Sequence, residues 1–188
     1  MIIGLAGYAG SGKDTAGKIL VDRGYTRLAF ADKLKELAIK IDPNVWDNED
    51  EVDVPLSWYV TKWGWDDAKK SDEVRGLLQR LGAGVREILG DNTWVAPIEE
   101  TLYDKPHLDY VITDVRYPNE IQSVHDYGGV VWWIDRPGVG PVNDHESEAS
   151  IKVGDCDLYV LNDKTVDDLR AKINLALEVS TSVVSMSG

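Results

Sequence analysis

Seven residues near the start of the chain, Gly7-Tyr8-Ala9-Gly10-Ser11-Gly12-Lys13, constrain its fold more than any other feature. They follow a short apolar run rich in β-branched residues, Ile2 to Ala6, and precede a helical pattern through Ala16, Ile19 and Leu20 that stops at Gly24. The run reads as a strand buried on both faces, so the spacing G-x-x-x-x-G-K falls between a strand and a helix. In that context the glycines let successive backbone N–H groups turn inward around a phosphate. The helix N-terminus adds partial positive charge, and the lysine reaches the outer phosphates. Gly7, Gly10, Ser11, Gly12 and Lys13 are therefore candidate ligands of a nucleotide triphosphate. A glycine-rich turn that only joins strand to helix would leave the lysine without a reason.

Strands and helices alternate along the rest of the chain. Tyr25 to Phe30 reads as a second strand, and Leu34, Leu37, Ala38 and Ile41 mark one face of a helix ended by Asp42-Pro43. Asp109 to Thr113, Val130 to Ile134 and Leu158 to Leu161 read as three more strands. A helix begins near Pro118, and an amphipathic one covers Val166 to Val179. This alternation predicts an α/β fold: a mostly parallel five-stranded sheet with helices on both faces, three layers in all. With 188 residues the expectation is a single domain, with residues 42–104 as an inserted helical region. Within that region, residues 42–53 hold six acids and no base, which reads as an exposed acidic loop, and Trp58, Trp63 and Trp65 read as packing. Helical spacing follows from Glu73 to Leu89, interrupted by Gly82, Gly84 and Gly90, and from Thr93 to Tyr103. Residues 136–150 form a polar loop, and the Ser-rich stretch 180–188 is expected to fray.

Composition excludes several functions. A formal net charge of −13 argues against nonspecific binding to duplex nucleic acid or anionic membranes, so a polyanionic ligand must meet locally placed bases. The lone Cys156 rules out an internal disulfide framework and suits a reducing compartment, with the cytoplasm as the default. No apolar run approaches the ~20 residues of a membrane span, and the N-terminus lacks the basic region of a signal peptide. His107, His125 and His145 have no metal-ligand spacing, so no zinc site is expected.

Other candidates sit at strand ends and on helix faces. Asp14 replaces the hydroxyl that commonly follows the lysine, and Thr15 comes one place later. Nucleoside monophosphate kinases share this G-K-x-T spacing, with the hydroxyl nearer the α-phosphate and the metal held through water. Asp14 either orients such a water or serves as an acid favourable to the helix dipole. Asp114 ends the third of the predicted sheet strands, followed by Arg116 and Glu120, which offer an acid near a cation or acceptor, a planar fork for phosphate and a group to orient that fork. Gln79, Gly82 and Arg86 share a helix face with a gap at the glycine, where a flat ligand or ordinary packing fits, and Trp94 follows shortly.

Together these residues resemble the phage-type deoxynucleoside monophosphate kinases over most of the chain. The resemblance is carried by Gly10-Ser11-Gly12-Lys13-Asp14-Thr15, Phe30-Ala31-Asp32-Lys33-Leu34-Lys35, Leu78-Gln79 through Gly82 to Arg86, Asp91 to Trp94, Thr113-Asp114-Val115-Arg116-Tyr117-Pro118-Asn119-Glu120, Arg136-Pro137-Gly138 and His145-Glu146-Ser147-Glu148, in family order. It implies a P-loop kinase fold with an inserted acceptor-binding subdomain and a lid over 136–150. ATP with Mg²⁺ is the implied donor, the metal held through water by Asp14, Thr15 and Asp114, and Asn162 joins the ATP-binding residues. The implied acceptor, a deoxynucleoside monophosphate, falls to Ala31, Asp32, Lys33, Gln79, Arg86, Trp94, Asp114, Arg116 and Glu120. Lys13, Arg86, Arg116 and Arg136 would stabilise the transferring charge. Small nucleotides are thus the expected partners of a monomer or homodimer, with no nucleic acid polymer and no membrane, in the host cytoplasm if the chain is phage-encoded. Ala83 and Lys33 depart from the family pattern, where Thr and Pro are common, and both bear on the base preference. Two rivals remain at this point: another small-molecule P-loop kinase of the phosphomevalonate or dephospho-coenzyme A type, and a nucleotide-binding module without turnover.

Overall fold

In a computed structural model of the chain, which describes residues 1–140 and 150–186, five parallel strands form one sheet in the order β2-β5-β1-β6-β7. These strands are β1 (Ile2–Ala6), β2 (Thr26–Leu28), β5 (Tyr110–Ile112), β6 (Val130–Asp135) and β7 (Leu158–Leu161). Ile3 pairs with Val130 and Val111, so β1 lies at the centre and is buried from both sides, as its continuous apolar run requires.

Side chains alternate across this sheet. Ile3 and Leu5 face the helices α1 (Lys13–Val21) and α7 (Val166–Met186), in a core with Ile19, Leu20, Trp132, Ile134, Leu169 and Ile173. Gly4 faces the opposite way, where an added Cβ would lie 2.9 Å from Val115 and 3.3 Å from Val124 on α6 (Pro118–Asp126). One helix pair and one helix therefore cover the two faces, giving the expected three layers. Gly17 on α1 lets helix and sheet close up, since a Cβ there would be 2.7 Å from the Thr113 methyl.

The chain folds into two compact units, residues 1–30 with 98–188 and residues 31–97. The second unit contains α2 (Ala31–Ile41), β3 (Asn44–Asp47), β4 (Val52–Pro55), α3 (Leu56–Ala68) and α4 (Asp72–Leu89). It starts earlier than the expected insertion because α2 packs Ala38, with Leu34 beside it, into a core with Val45, Leu56, Tyr59, Val74 and Leu78. Residues 42–53, expected as an exposed loop, fall largely within the antiparallel hairpin β3–β4, which spans 44–55. Its acids are not all solvated: Asp47 is 1% exposed and accepts a hydrogen bond from Lys62, which also pairs with Glu49 and Asp50. Burial opposes the charge on Asp47, yet the Glu49 N–H and Lys62 hold its carboxyl below the usual range. α4 runs unbroken through Gly82 and Gly84, with Ser71 at its N-cap and Asp72 and Glu73 in its first turn. The helix α5 (Ala96–Asp104) follows a short 3-10 turn at Asp91–Thr93.

The C-terminal helix also outruns its expected end. α7 continues to Met186 because residue 180 is not a frayed position: the buried Ser180 hydroxyl accepts the indole N–H of Trp132 at 3.0 Å.

Candidate active site

The glycine-rich loop leaves β1 at its C-terminal end and enters α1. Gly7, Gly10 and Gly12 have φ values of 133°, 81° and 102°, backbone that L side chains rarely adopt. At Gly7 a Cβ would lie 2.3 Å from the Ile134 carbonyl, so this position also excludes a side chain for want of space. The Ser11 N–H donates to the Tyr8 carbonyl at 3.1 Å, closing the turn, and Tyr8 stacks edge-on against Trp133 with ring centroids 5.3 Å apart. The Ser11 hydroxyl is buried without a hydrogen-bond partner among the described residues. Lys13 is 8% exposed, and its ammonium donates to the carbonyls of Gly7 at 2.6 Å and Tyr8 at 2.8 Å. A cation is thus curled against the concave side of its own loop. Asp14 is exposed and Thr15 half-buried in the first turn of α1.

Three further strands end beside this loop in the same sheet. Asp114, just past β5, accepts the Phe30 N–H at 2.8 Å and so ties its strand end to the segment leaving β2. Glu120, 4% exposed, accepts the N–H groups of Arg116 at 2.6 Å and Tyr117 at 3.1 Å. It therefore shapes the turn that carries the half-buried Arg116, with Pro118 supplying the first helical residue of α6. Asn162, just past β7, donates its side-chain amide to the Ser11 carbonyl at 2.8 Å. Lys172, which nothing in the sequence singled out, donates to the Leu161 carbonyl at 2.6 Å and pairs with Asp163. The first unit thus gathers Gly7 to Thr15, Asp114, Arg116, Glu120 and Asn162 at the C-terminal ends of parallel strands, where such sheets bind ligands.

The second unit holds the other expected residues. Ala31 and Asp32 open α2, and Asp32 and Lys33 are exposed, paired with Lys35 and Glu36 respectively. On α4, Gln79 is half-buried and the Arg86 side chain is 14% exposed, its guanidinium 3.6 Å from the Asp91 carboxylate. The gap expected at Gly82 is already filled, because a Cβ there would meet a Leu34 methyl at 3.2 Å. The Gly82 carbonyl accepts the Trp94 indole N–H at 3.2 Å, which fixes that ring beside α4.

Arg136 follows β6 and is exposed. Of the loop 136–150, residues 141–149, His145 included, lie outside the described residues. Burial, reinforced by Asp155 and Asp157, pushes the Cys156 thiol up to about 12, so it is no nucleophile at neutral pH. Among the described residues no group of three or more His, Cys, Asp or Glu is placed to hold a metal, and no helix is long and apolar enough to cross a membrane.

A parallel sheet carrying this loop at its central strand defines the P-loop nucleotide-binding fold. Dephospho-CoA kinase from Campylobacter jejuni shares the fold at a TM-score of 0.50 and 15% identity, covering 95% of this chain and 96% of that one. The family model for deoxynucleotide monophosphate kinase matches residues 60–173, and the chain belongs to that family. A protein of Acanthamoeba polyphaga mimivirus carrying the same family name is 29% identical over 185 residues, 92% of this chain and 94% of its own. The deoxynucleotide monophosphate kinase of Escherichia phage RB69 is 31% identical over 108 residues, and there the match spans 55% of this chain but only 44% of the phage protein.

Proposed function

We propose that this chain transfers the γ-phosphoryl group of ATP to a deoxynucleoside monophosphate, giving ADP and a deoxynucleoside diphosphate. The observation that carries the reading is the cradle: three positive-φ glycines, a buried Ser11 hydroxyl unpartnered among the described residues and a near-buried Lys13, in a chain of this family.

An oxygen of the acceptor's phosphate attacks the γ-phosphorus, and the bond from that phosphorus to the bridging oxygen breaks, its electron pair leaving with ADP. A phosphate nucleophile at neutral pH needs no strong base, so the protein's work is positioning and charge stabilisation. The loop's N–H groups and the α1 N-terminus hold the β-phosphate. Lys13 exchanges its two carbonyl partners for phosphate oxygens, a stronger, charge-assisted contact. Arg116 and Arg86 take the acceptor phosphate, Trp94 and Gln79 the acceptor base, and Ala31, Asp32 and Lys33 the acceptor's near side. Asp114 and Glu120 keep their strand end and turn in shape, and Arg136 adds charge to the transferring group.

Asp14, Thr15 and Asp114 supply hard oxygen donors that suit Mg²⁺ reached through water. These three residues would hold the ion through water rather than by direct ligation. Its chemistry is to neutralise charge on the β- and γ-phosphates. The expected setting is the cytoplasm, the host's for a phage-encoded chain, with the enzyme a monomer or homodimer.

A coupled ADP-release assay with dAMP, dGMP, dCMP, dTMP and their ribonucleotide counterparts tests the reading. Turnover with at least one deoxynucleotide, faster than with its ribonucleotide, is the expected result. ATP binding without ADP release on any of them would overturn it.

A further inference from the structure

We infer that Asn162 is a positioning residue for the phosphate cradle, acting on the loop's backbone rather than on the nucleotide. The inference rests on the kinase reading for the identity of the loop's ligand and deepens it by assigning the part that keeps the loop in binding shape.

Two independent features carry it. The Asn162 amide donates to the Ser11 carbonyl at 2.8 Å, across 151 positions of sequence. The same amide nitrogen would lie 2.3 Å from a Cβ on Gly12, so it occupies the space that the missing side chain leaves. One side chain thus fills the outer side of the Ser11–Gly12 peptide and bonds its oxygen. A peptide whose carbonyl is held outward turns the N–H of the same unit to the opposite side, the concave one, where an anion is received. Holding that orientation before the ligand arrives removes an ordering cost from binding.

The surroundings brace this contact. The Asn162 N–H donates to the Asp135 carbonyl at 2.7 Å, which fixes the residue to the end of β6. On either side, Lys172 donates to the Leu161 carbonyl at 2.6 Å and pairs with Asp163 at 2.5 Å. That pairing holds the Asp163 carboxyl below its usual range. A short segment after a strand, tied at both flanks and at its centre, has little freedom to swing its side chain elsewhere.

The test uses four proteins, wild type, Asn162→Ser, Asn162→Ala and Asn162→Asp, and reads calorimetric affinity for nonhydrolysable analogues of ATP and GTP, thermal unfolding, and KM for the deoxynucleotide. Ala removes the donor, and about tenfold weaker analogue binding is expected, the loss of one net hydrogen bond. Ser keeps a shorter donor and should recover part of it. Asp fits the same space but presents an acceptor to the Ser11 carbonyl and negative charge to the phosphates, and should bind most weakly. Losses should be equal for the two bases, with KM for the acceptor nearly unchanged. A loss confined to the adenine analogue would make Asn162 a base contact and overturn the inference. So would an affinity in Ala or Asp equal to wild type, or a parallel fall in unfolding temperature and in both substrates' binding, which marks a purely structural residue. Analogue binding is read without turnover, so an inert wild type that still binds analogue overturns the kinase reading while the variants' order still decides this one. A wild type that binds no analogue overturns both.

Discussion

Lys13 combines two properties seldom found together, a helix's first-turn position and near-complete burial, and its ammonium is stored on two carbonyls of its own loop. Lys13→Ala should lower turnover by at least about a hundredfold, the scale on which a preorganised charge stabiliser acts. Thermal unfolding should still be cooperative, with about 1 to 3 kcal/mol of stability lost from the two unpartnered carbonyls. Retained turnover in this variant would remove the cradle from the mechanism. Arg86 and Arg116 differ in their supports, the first near an exposed Asp91 and the second on a turn pinned by buried Glu120. Arg86→Lys and Arg116→Lys keep the charge but lose the planar fork. Each should lower kcat/KM for the deoxynucleotide about tenfold to a hundredfold, while affinity for a nonhydrolysable ATP analogue holds. An equal loss on the analogue would assign that arginine to the donor side.

Among the elements, the start of α6 depends on a single buried carboxylate. Glu120→Ala would leave two N–H groups, those of Arg116 and Tyr117, without their acceptor, and about 1 to 3 kcal/mol of stability should go with them. Glu120→Gln keeps an acceptor oxygen and should lose less of both stability and acceptor efficiency; equal losses in the two variants would show that the carboxylate does not shape the turn. The β3–β4 hairpin depends similarly on Lys62, which pairs with Asp47, Glu49 and Asp50 and lies over the rings of Trp58 and Trp63 at 5.1 and 4.8 Å. A hairpin with five acidic residues from Asp47 to Asp53 would repel itself without that cation. Its pattern was hard to read from sequence because an aspartate, Asp47, occupies a core-facing position next to exposed Trp46. Alternation therefore carried the wrong sign, and the buried charge is made tolerable by the Glu49 N–H together with the tertiary partner Lys62.

At the scale of the molecule, the last helix is joined to the sheet by a buried polar contact between Ser180 and Trp132. Ser180→Ala leaves the buried Trp132 indole N–H without its acceptor and should cost about 1 to 3 kcal/mol, read as a lower urea midpoint. An unchanged midpoint would mean the helix end adds nothing to the core. Acid acts on the whole chain at once. Hydrogen bonds from Lys33 and Lys40 lower Glu36 from 4.5 to about 2, and Asp47, Asp163 and Asp168 are also held below their usual range. For depressed carboxyls, the stabilising contribution is present above the unfolded-state value and lost as pH falls through the folded one. The urea midpoint should therefore drop between about pH 4.5 and 2, the limits set by Glu36. Relief of repulsion in a chain of net charge −13 acts in the opposite direction, so a midpoint that rises on acidification would show that the pairings are the weaker effect.

Local physics sufficed for the parallel sheet, the loop between β1 and α1, and the strand-end acid Asp114, because buried strands are continuous apolar runs and a phosphate turn needs its glycines at set places. The same local signals misjudged the hairpin at 44–55, the unbroken passage of α4 through two glycines, and the end of α7. Partners distant in sequence decide the first and the last, Lys62 for Asp47 and Trp132 for Ser180, and in α4 the close approach of Leu34 leaves little room for a side chain at Gly82. Asn162 belongs to this second kind. Its position after a strand is written in the chain, but its bond to Ser11 exists only because β7 and β1 both pair in parallel with β6. Periodicity records which face of an element is apolar; which polar group meets which depends on the packing of elements far apart in the chain.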